Sequence, residues 1–121
     1  MLAIVNTPGG AEPVAIRDVP EPGLRPNEAL VAVHAFSLNR GELRLVQVRP
    51  EGWRPGQDIA GIVLRPAADG SSPPAGFRVA ALCDQAGWAE RAAVPSHRIA
   101  PLADNVSFAA AAALPAWQSR S

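Results

Sequence analysis

Between positions 34 and 58 the chain gathers most of the side chains that could do chemistry: His34, Asn39, Arg40, Glu42, Arg44, Trp53, Gln57 and Asp58. The Asn39 amide both donates and accepts hydrogen bonds, which suits it to hold a polar ligand. It also stands three residues before Glu42, the spacing of a capping box, so it can cap a following helix without losing the first role. Arg40 and Arg44 lie one helical turn apart. Their guanidinium groups suit an acidic substrate or a cofactor phosphate, and equally a solvated helix face. Asp58, Glu42 and His34 are the acid–base candidates, although a lone strand histidine reads first as a hydrogen-bonded structural residue. Catalytic zinc needs three protein ligands and an open position. Asp58 and Glu42 are the most the chain offers, Gln57 is a poor ligand and Cys83 is the single cysteine, so no metal is expected.

These residues must be positioned by a strand, a short helix and a second strand. Glu28 to Phe36 is apolar at both parities, the pattern of a central strand. Ser37 and Asn39 are good N-caps for a helix or turn reaching Gln47, with Leu43 and Val46 one turn apart. Gly56-Gln57-Asp58-Ile59-Ala60-Gly61-Ile62-Val63 reads as a strand whose backbone bends or is closely approached at its two glycines. A plain buried strand with a bulge glycine fits the same residues. Leu2 to Val5 and Pro13 to Val19 form an opening hairpin across a turn-rich cluster, and the prolines of 20–26 keep that stretch outside any ladder. Arg65 to Gly76 reads as a flexible loop, Gly76 to Leu82 and Ser96 to Leu102 as strands. Phe108 to Leu114 reads as an alanine-rich helix capped by Ser107 or Asn105 and stopped by Pro115.

At 121 residues this is one domain with enough core to fold without a disulfide or metal. Positive and negative side chains balance at 11 each, which argues against nucleic acid or an anionic membrane surface as a partner. No signal peptide and no apolar run long enough to span a bilayer is evident, so a cytoplasmic domain is expected.

The order of these segments resembles the N-terminal, GroES-like catalytic domain of the medium-chain dehydrogenase/reductase family, in its zinc-independent quinone oxidoreductase branch. The resemblance runs over residues 1–115 and is carried by Ser37 to Glu42, Gly56 to Val63, Gly76-Phe77-Arg78-Val79 and Gly87-Trp88-Ala89-Glu90. It implies a mainly β fold, a partly open GroES-like barrel with short helices. Zinc-dependent members carry a ligand cysteine at the position of Asn39 and Gly-His-Glu where this chain has Gly56-Gln57-Asp58. The implied reaction is metal-free hydride transfer from NADPH to a small electron-poor acceptor: a quinone, an enone or an activated alkene. On this resemblance Asn39 polarises the acceptor and touches the nicotinamide, and Arg40, Trp53 and Gln57 border the substrate. Leu114 lies on the cofactor side, and Glu90 is a structural anchor. Trp53 could equally be a lid on the core. Residues 116–121 diverge from the family's linking helix, and no glycine-rich dinucleotide turn or Rossmann unit is expected in the chain. Three functions therefore stand open. One is the substrate-side domain of an NADPH-dependent reductase, working with a separate cofactor domain. The second is a stand-alone barrel for binding or self-association, and the third a small cofactor-independent enzyme using Asp58, Glu42 or His34.

Overall fold

The computed structural model describes residues 1–38 and 40–113, with the side chains of residues 40–43 outside that description. Strands β1 (Leu2–Asn6) and β2 (Val14–Asp18) pair antiparallel in the expected hairpin, from Leu2 opposite Asp18 to Asn6 opposite Val14. The main sheet is built from β3 (Glu28–Phe36), β4 (Asp58–Arg65), β5 (Arg78–Leu82), β6 (Arg91–Pro95) and β7 (Ile99–Pro101), in the order β6-β3-β4-β5-β7. All its pairings are antiparallel, and the sheet curls into a partly open barrel. Helix α1 (Arg40–Val48) follows β3, and α2 (Phe108–Ala113) closes the described chain.

Period-two alternation puts Ala29, Val31, Ile59, Val63, Val79, Ala81, Ala92 and Val94 on the concave face, where they form the core. The opposite parity presents Ala60 and Ala80 to Ala111 and Ala112 of α2. Alanine on both surfaces lets the helix backbone approach the sheet closely. Ser107 caps α2 through its Oγ, which accepts from the Ala110 N–H at 3.1 Å, so Ser107 and not Asn105 starts the helix. Arg78 fixes the approach to this helix: its guanidinium donates to the carbonyls of Ala103 (3.0 Å) and Val106 and lies 4.5 Å from the Phe108 ring.

Both glycines of the 56–63 segment behave as the sequence indicates. Gly61 sits where the β3–β4 register shifts, between Val33 and Ala35, and a Cβ there would lie 1.8 Å from the Ala32 carbonyl oxygen. Gly56 has φ +123°, and its missing Cβ would meet the Trp88 nitrogen at 2.3 Å.

Four expectations are corrected. His34 is exposed, with its ring 4.6 Å from Phe108, because β6 pairs with β3 only as far as Ala32; it is not a buried histidine in need of a partner. Ser37 does not cap α1: its N–H donates to the Asp58 carbonyl at 3.0 Å, and the helix starts at Arg40. Ser96 to Leu102 is a short 3-10 turn over Ser96–Arg98 followed by a three-residue strand. The loop between β4 and β5 is pinned, since Ser72 Oγ accepts from the Ala67 N–H at 2.8 Å and Asp69 N–H donates to Pro26 at 3.0 Å.

Outside the barrel, Nε and an Nη of Arg91 both donate to the Glu21 carboxylate at 2.6 Å, with the Met1 ammonium 3.6 Å away. The Arg91 hydrogen bond, above all, lowers the Glu21 pKa from 4.5 to about 2. A carboxyl with a depressed folded pKa stabilises above its unfolded value and loses that contribution as pH falls. The stability difference between the wild type and Glu21→Gln should therefore be constant above pH 4.5 and vanish on acidification to about pH 2. Thermal melts of both proteins across this range check it, and a difference independent of pH would show that the ion pair adds nothing.

Candidate functional site

The chemistry-bearing segments meet where β3 ends and β4 begins. Ser37, the first residue past β3, is tied to Asp58 at the start of β4 by its N–H to the Asp58 carbonyl (3.0 Å), with its Oγ 3.5 Å from Oδ2 of the carboxylate. The Ser37 carbonyl accepts from the Trp88 indole Nε1 at 3.1 Å. Trp88 is 5% exposed and stacks on Phe36 at 5.3 Å between ring centroids. Three groups thus fix the backbone two residues before Asn39.

The other wall is the segment leading into β4. Its backbone zips against the loop before β6: Ala86 N–H to Arg54 (2.9 Å), Gly87 N–H to Gly56 (3.0 Å) and Trp88 N–H to Pro55 (3.2 Å). Such close backbone contact explains why positions 56 and 87 are glycine, since a Cβ on Gly87 would press the Ile59 side chain at 2.8 Å. Ala86 itself takes φ +71°, the αL region that a glycine usually fills. Gln57, half-buried, passes its carbonyl to the Cys83 N–H at 2.7 Å.

Trp53 is half-buried on this wall, with the Arg49 guanidinium 5.6 Å over its ring. Its backbone is clamped to the hairpin: Asn6 N–H donates to the Trp53 carbonyl at 2.8 Å, and Gly52 N–H donates to the Asn6 carbonyl at 2.9 Å. The fully buried Asn6 amide also reaches the C-terminal end of α1, donating to Val46 at 3.2 Å and to Arg49 at 3.5 Å. One asparagine therefore joins β1, α1 and the Trp53 loop. In the sequence Asn6 reads only as part of a turn cluster, and Trp88 only as the aromatic of a turn. Position alone makes each a support of the site.

Of the sequence candidates, the structure places Gln57 and Asp58 at the entry to β4 with Trp53 on the loop before them, and it opens α1 at Arg40, three residues past Ser37. Asn39 and Leu114 lie outside the described residues, as do the side chains of Arg40 and Glu42. Arg44 is exposed. Among the described residues no group of three or more His, Cys, Asp or Glu side chains that could hold a metal ion is found. No helix among them is long and apolar enough to cross a membrane.

Comparison with known proteins gives these features a setting. The alcohol dehydrogenase GroES-like domain matches residues 25–104. No curated protein sequence matches the chain. Among solved structures, a quinone oxidoreductase from Thermus thermophilus, also crystallised with NADPH, is 33% identical with a TM-score of 0.77 over 95% of this chain and 37% of its own. A quinone oxidoreductase from Coxiella burnetii is 26% identical, TM-score 0.84, over 95% of this chain and 41% of its own. Human synaptic vesicle membrane protein VAT-1 homolog-like protein is 27% identical, TM-score 0.87, over 95% and 39%. The chain thus spans well under half the length of each of these proteins.

Proposed function

We propose, from the premise that the chain belongs to the alcohol dehydrogenase GroES-like domain family, that it is the substrate-side domain of a zinc-independent, NADPH-dependent oxidoreductase acting on quinones, enones or enoyl compounds. The observation that carries this is the likeness to quinone oxidoreductases over nearly the whole chain; Asn39 and Gln57, at positions where zinc-dependent members carry ligands, accord with it. A cytoplasmic location accords with this reading.

Metal-free reduction of such an acceptor needs hydrogen-bond donors at its oxygen, because negative charge builds there as hydride arrives. NADPH, when bound, supplies the hydride. Asn39, two residues past Ser37 in the chain, is the donor in this proposal, with Leu114 assigned to the cofactor side. Trp53 offers a flat ring face for stacking, and Arg40 and Gln57 border the acceptor.

Titrating duroquinone into the 121-residue chain, read by tryptophan fluorescence, tests the proposal. Saturable quenching is expected, and Asn39→Ala should weaken it about tenfold, the worth of one hydrogen bond lost at a desolvated oxygen. The thermal midpoint of that variant should move by no more than about 5 °C, the effect of losing a helix cap. Quenching that never saturates would sink the acceptor site, and an unchanged affinity in Asn39→Ala would leave that residue only its capping role.

A further inference from the structure

The described arginines fall into three groups. Arg91 and Arg98 sit on Glu21 and Asp84, while Arg49 and Arg78 lie over Trp53 and Phe108. Others, such as Arg25, Arg44 and Arg65, are exposed and solvated. Arg54 stands apart from all three: it is half-buried, its Nε is buried with no hydrogen-bond partner, and among the described residues no carboxylate reaches it. Burial lowers its pKa from the ordinary arginine value, and no neighbouring charge offsets that effect. A buried N–H donor without an acceptor is unfavourable, and folded proteins seldom keep one.

Its place in the chain points to that use. Arg54 lies between Trp53 and the Gly56-Gln57-Asp58 turn, so it stands on the wall that borders the candidate acceptor site. The Ala86 and Trp88 N–H groups hold the Arg54 and Pro55 carbonyls at 2.9 and 3.2 Å, and proline fixes φ of the next residue. The guanidinium therefore springs from a rigid segment. Between Arg49 and Gln57 the one carboxylate, Glu51, is exposed, leaving this stretch with a net positive charge. A planar fork of N–H donors matches a carboxylate or another oxyanion, and part of the dehydration that binding requires is already incurred in folding.

We propose, resting on the acceptor reading above, that Arg54 recognises an oxyanion carried by the acceptor, so that the substrate class is an electron-poor alkene or quinone bearing a carboxylate or similar acidic group. Arg54 is then a specificity residue, separate from the Asn39 donor. Discrimination comes from the pairing of this guanidinium, since a neutral acceptor leaves it unpartnered.

The test compares benzalacetone, a neutral enone, with its para-carboxy derivative, titrated into the full chain and read by tryptophan fluorescence. The carboxylate should bind at least about tenfold tighter to the wild type. Arg54→Gln should abolish the difference and Arg54→Lys restore part of it, because a point charge replaces the fork. A second measurement needs no ligand: Arg54→Met removes the unpaired charge and should raise the thermal midpoint by about 3 °C. Equal binding of the two enones by the wild type overturns the role of Arg54 and leaves the acceptor site standing; absence of binding by either removes both. An unchanged carboxylate preference in Arg54→Gln removes the guanidinium from the acceptor and overturns its assignment. A lowered midpoint in Arg54→Met makes Arg54 a structural residue and overturns the proposal.

Discussion

Gly61→Ala is expected to abolish most of the stability of the domain, lowering it by at least about 3 kcal/mol and the thermal midpoint by at least about 10 °C. The reason is backbone, not side chain. The added Cβ would lie 1.8 Å from the Ala32 carbonyl oxygen and 2.9 Å from its carbonyl carbon, in the middle of the most extensive strand pairing of the sheet. Neither β3 nor β4 can give way, because β3 is held on its other side by β6 and β4 by β5. Removing the clash means opening the ladder beside Val33, which also carries Val31 and Ile59 out of the core. Gly9→Ala is the matched control, since a Cβ there meets nothing within 4 Å, and it should change stability by less than about 0.5 kcal/mol. Urea unfolding of the three proteins decides the matter, and equal midpoints for Gly61→Ala and Gly9→Ala would refute the close approach.

The same glycines show what was legible in the sequence. Two glycines five apart in a β-branched run announced a strand under backbone crowding, and the structure supplies the crowding atoms. Apolar residues at both parities of Glu28 to Phe36 announced a central strand, and it is paired on both sides through Ala32. Past that point the strand outruns β6, so His34 and Phe36 reach solvent although their parity promised burial. Strand ends of this kind depend on where a neighbour 60 residues away in sequence stops, which no local pattern records. Ser37 failed as a cap for a similar reason: Asp58 competes for its polar groups from another strand. Supports such as Asn6 and Trp88 were invisible because their partners, Val46, Arg49 and Ser37, lie 40 or more residues away. Arg54 was passed over in favour of Arg40 and Arg44. Helical spacing is visible in a sequence, whereas loss of solvent without a partner is visible only in the fold.

Trp88 carries the second large effect, and two substitutions separate its roles. Trp88→Ala removes a ring that is 5% exposed and stacked on Phe36, and should cost about 3–5 kcal/mol, as the loss of a buried aromatic does. Trp88→Phe keeps much of that packing but deletes the indole N–H that donates to the Ser37 carbonyl. The expected loss is nearer 1–2 kcal/mol, from one hydrogen bond and a small cavity. Function should follow the second loss more closely than the first. The Ser37 carbonyl belongs to the peptide that leads toward Asn39, and without Nε1 that turn is held only from the Asp58 side. Trp88→Phe should therefore weaken duroquinone binding about three- to tenfold at a temperature where the variant is fully folded, a loss of about 1 kcal/mol in pre-organisation. A variant of lowered midpoint but unaltered affinity would show that the indole serves the core alone and that the turn before Asn39 is fixed by Asp58.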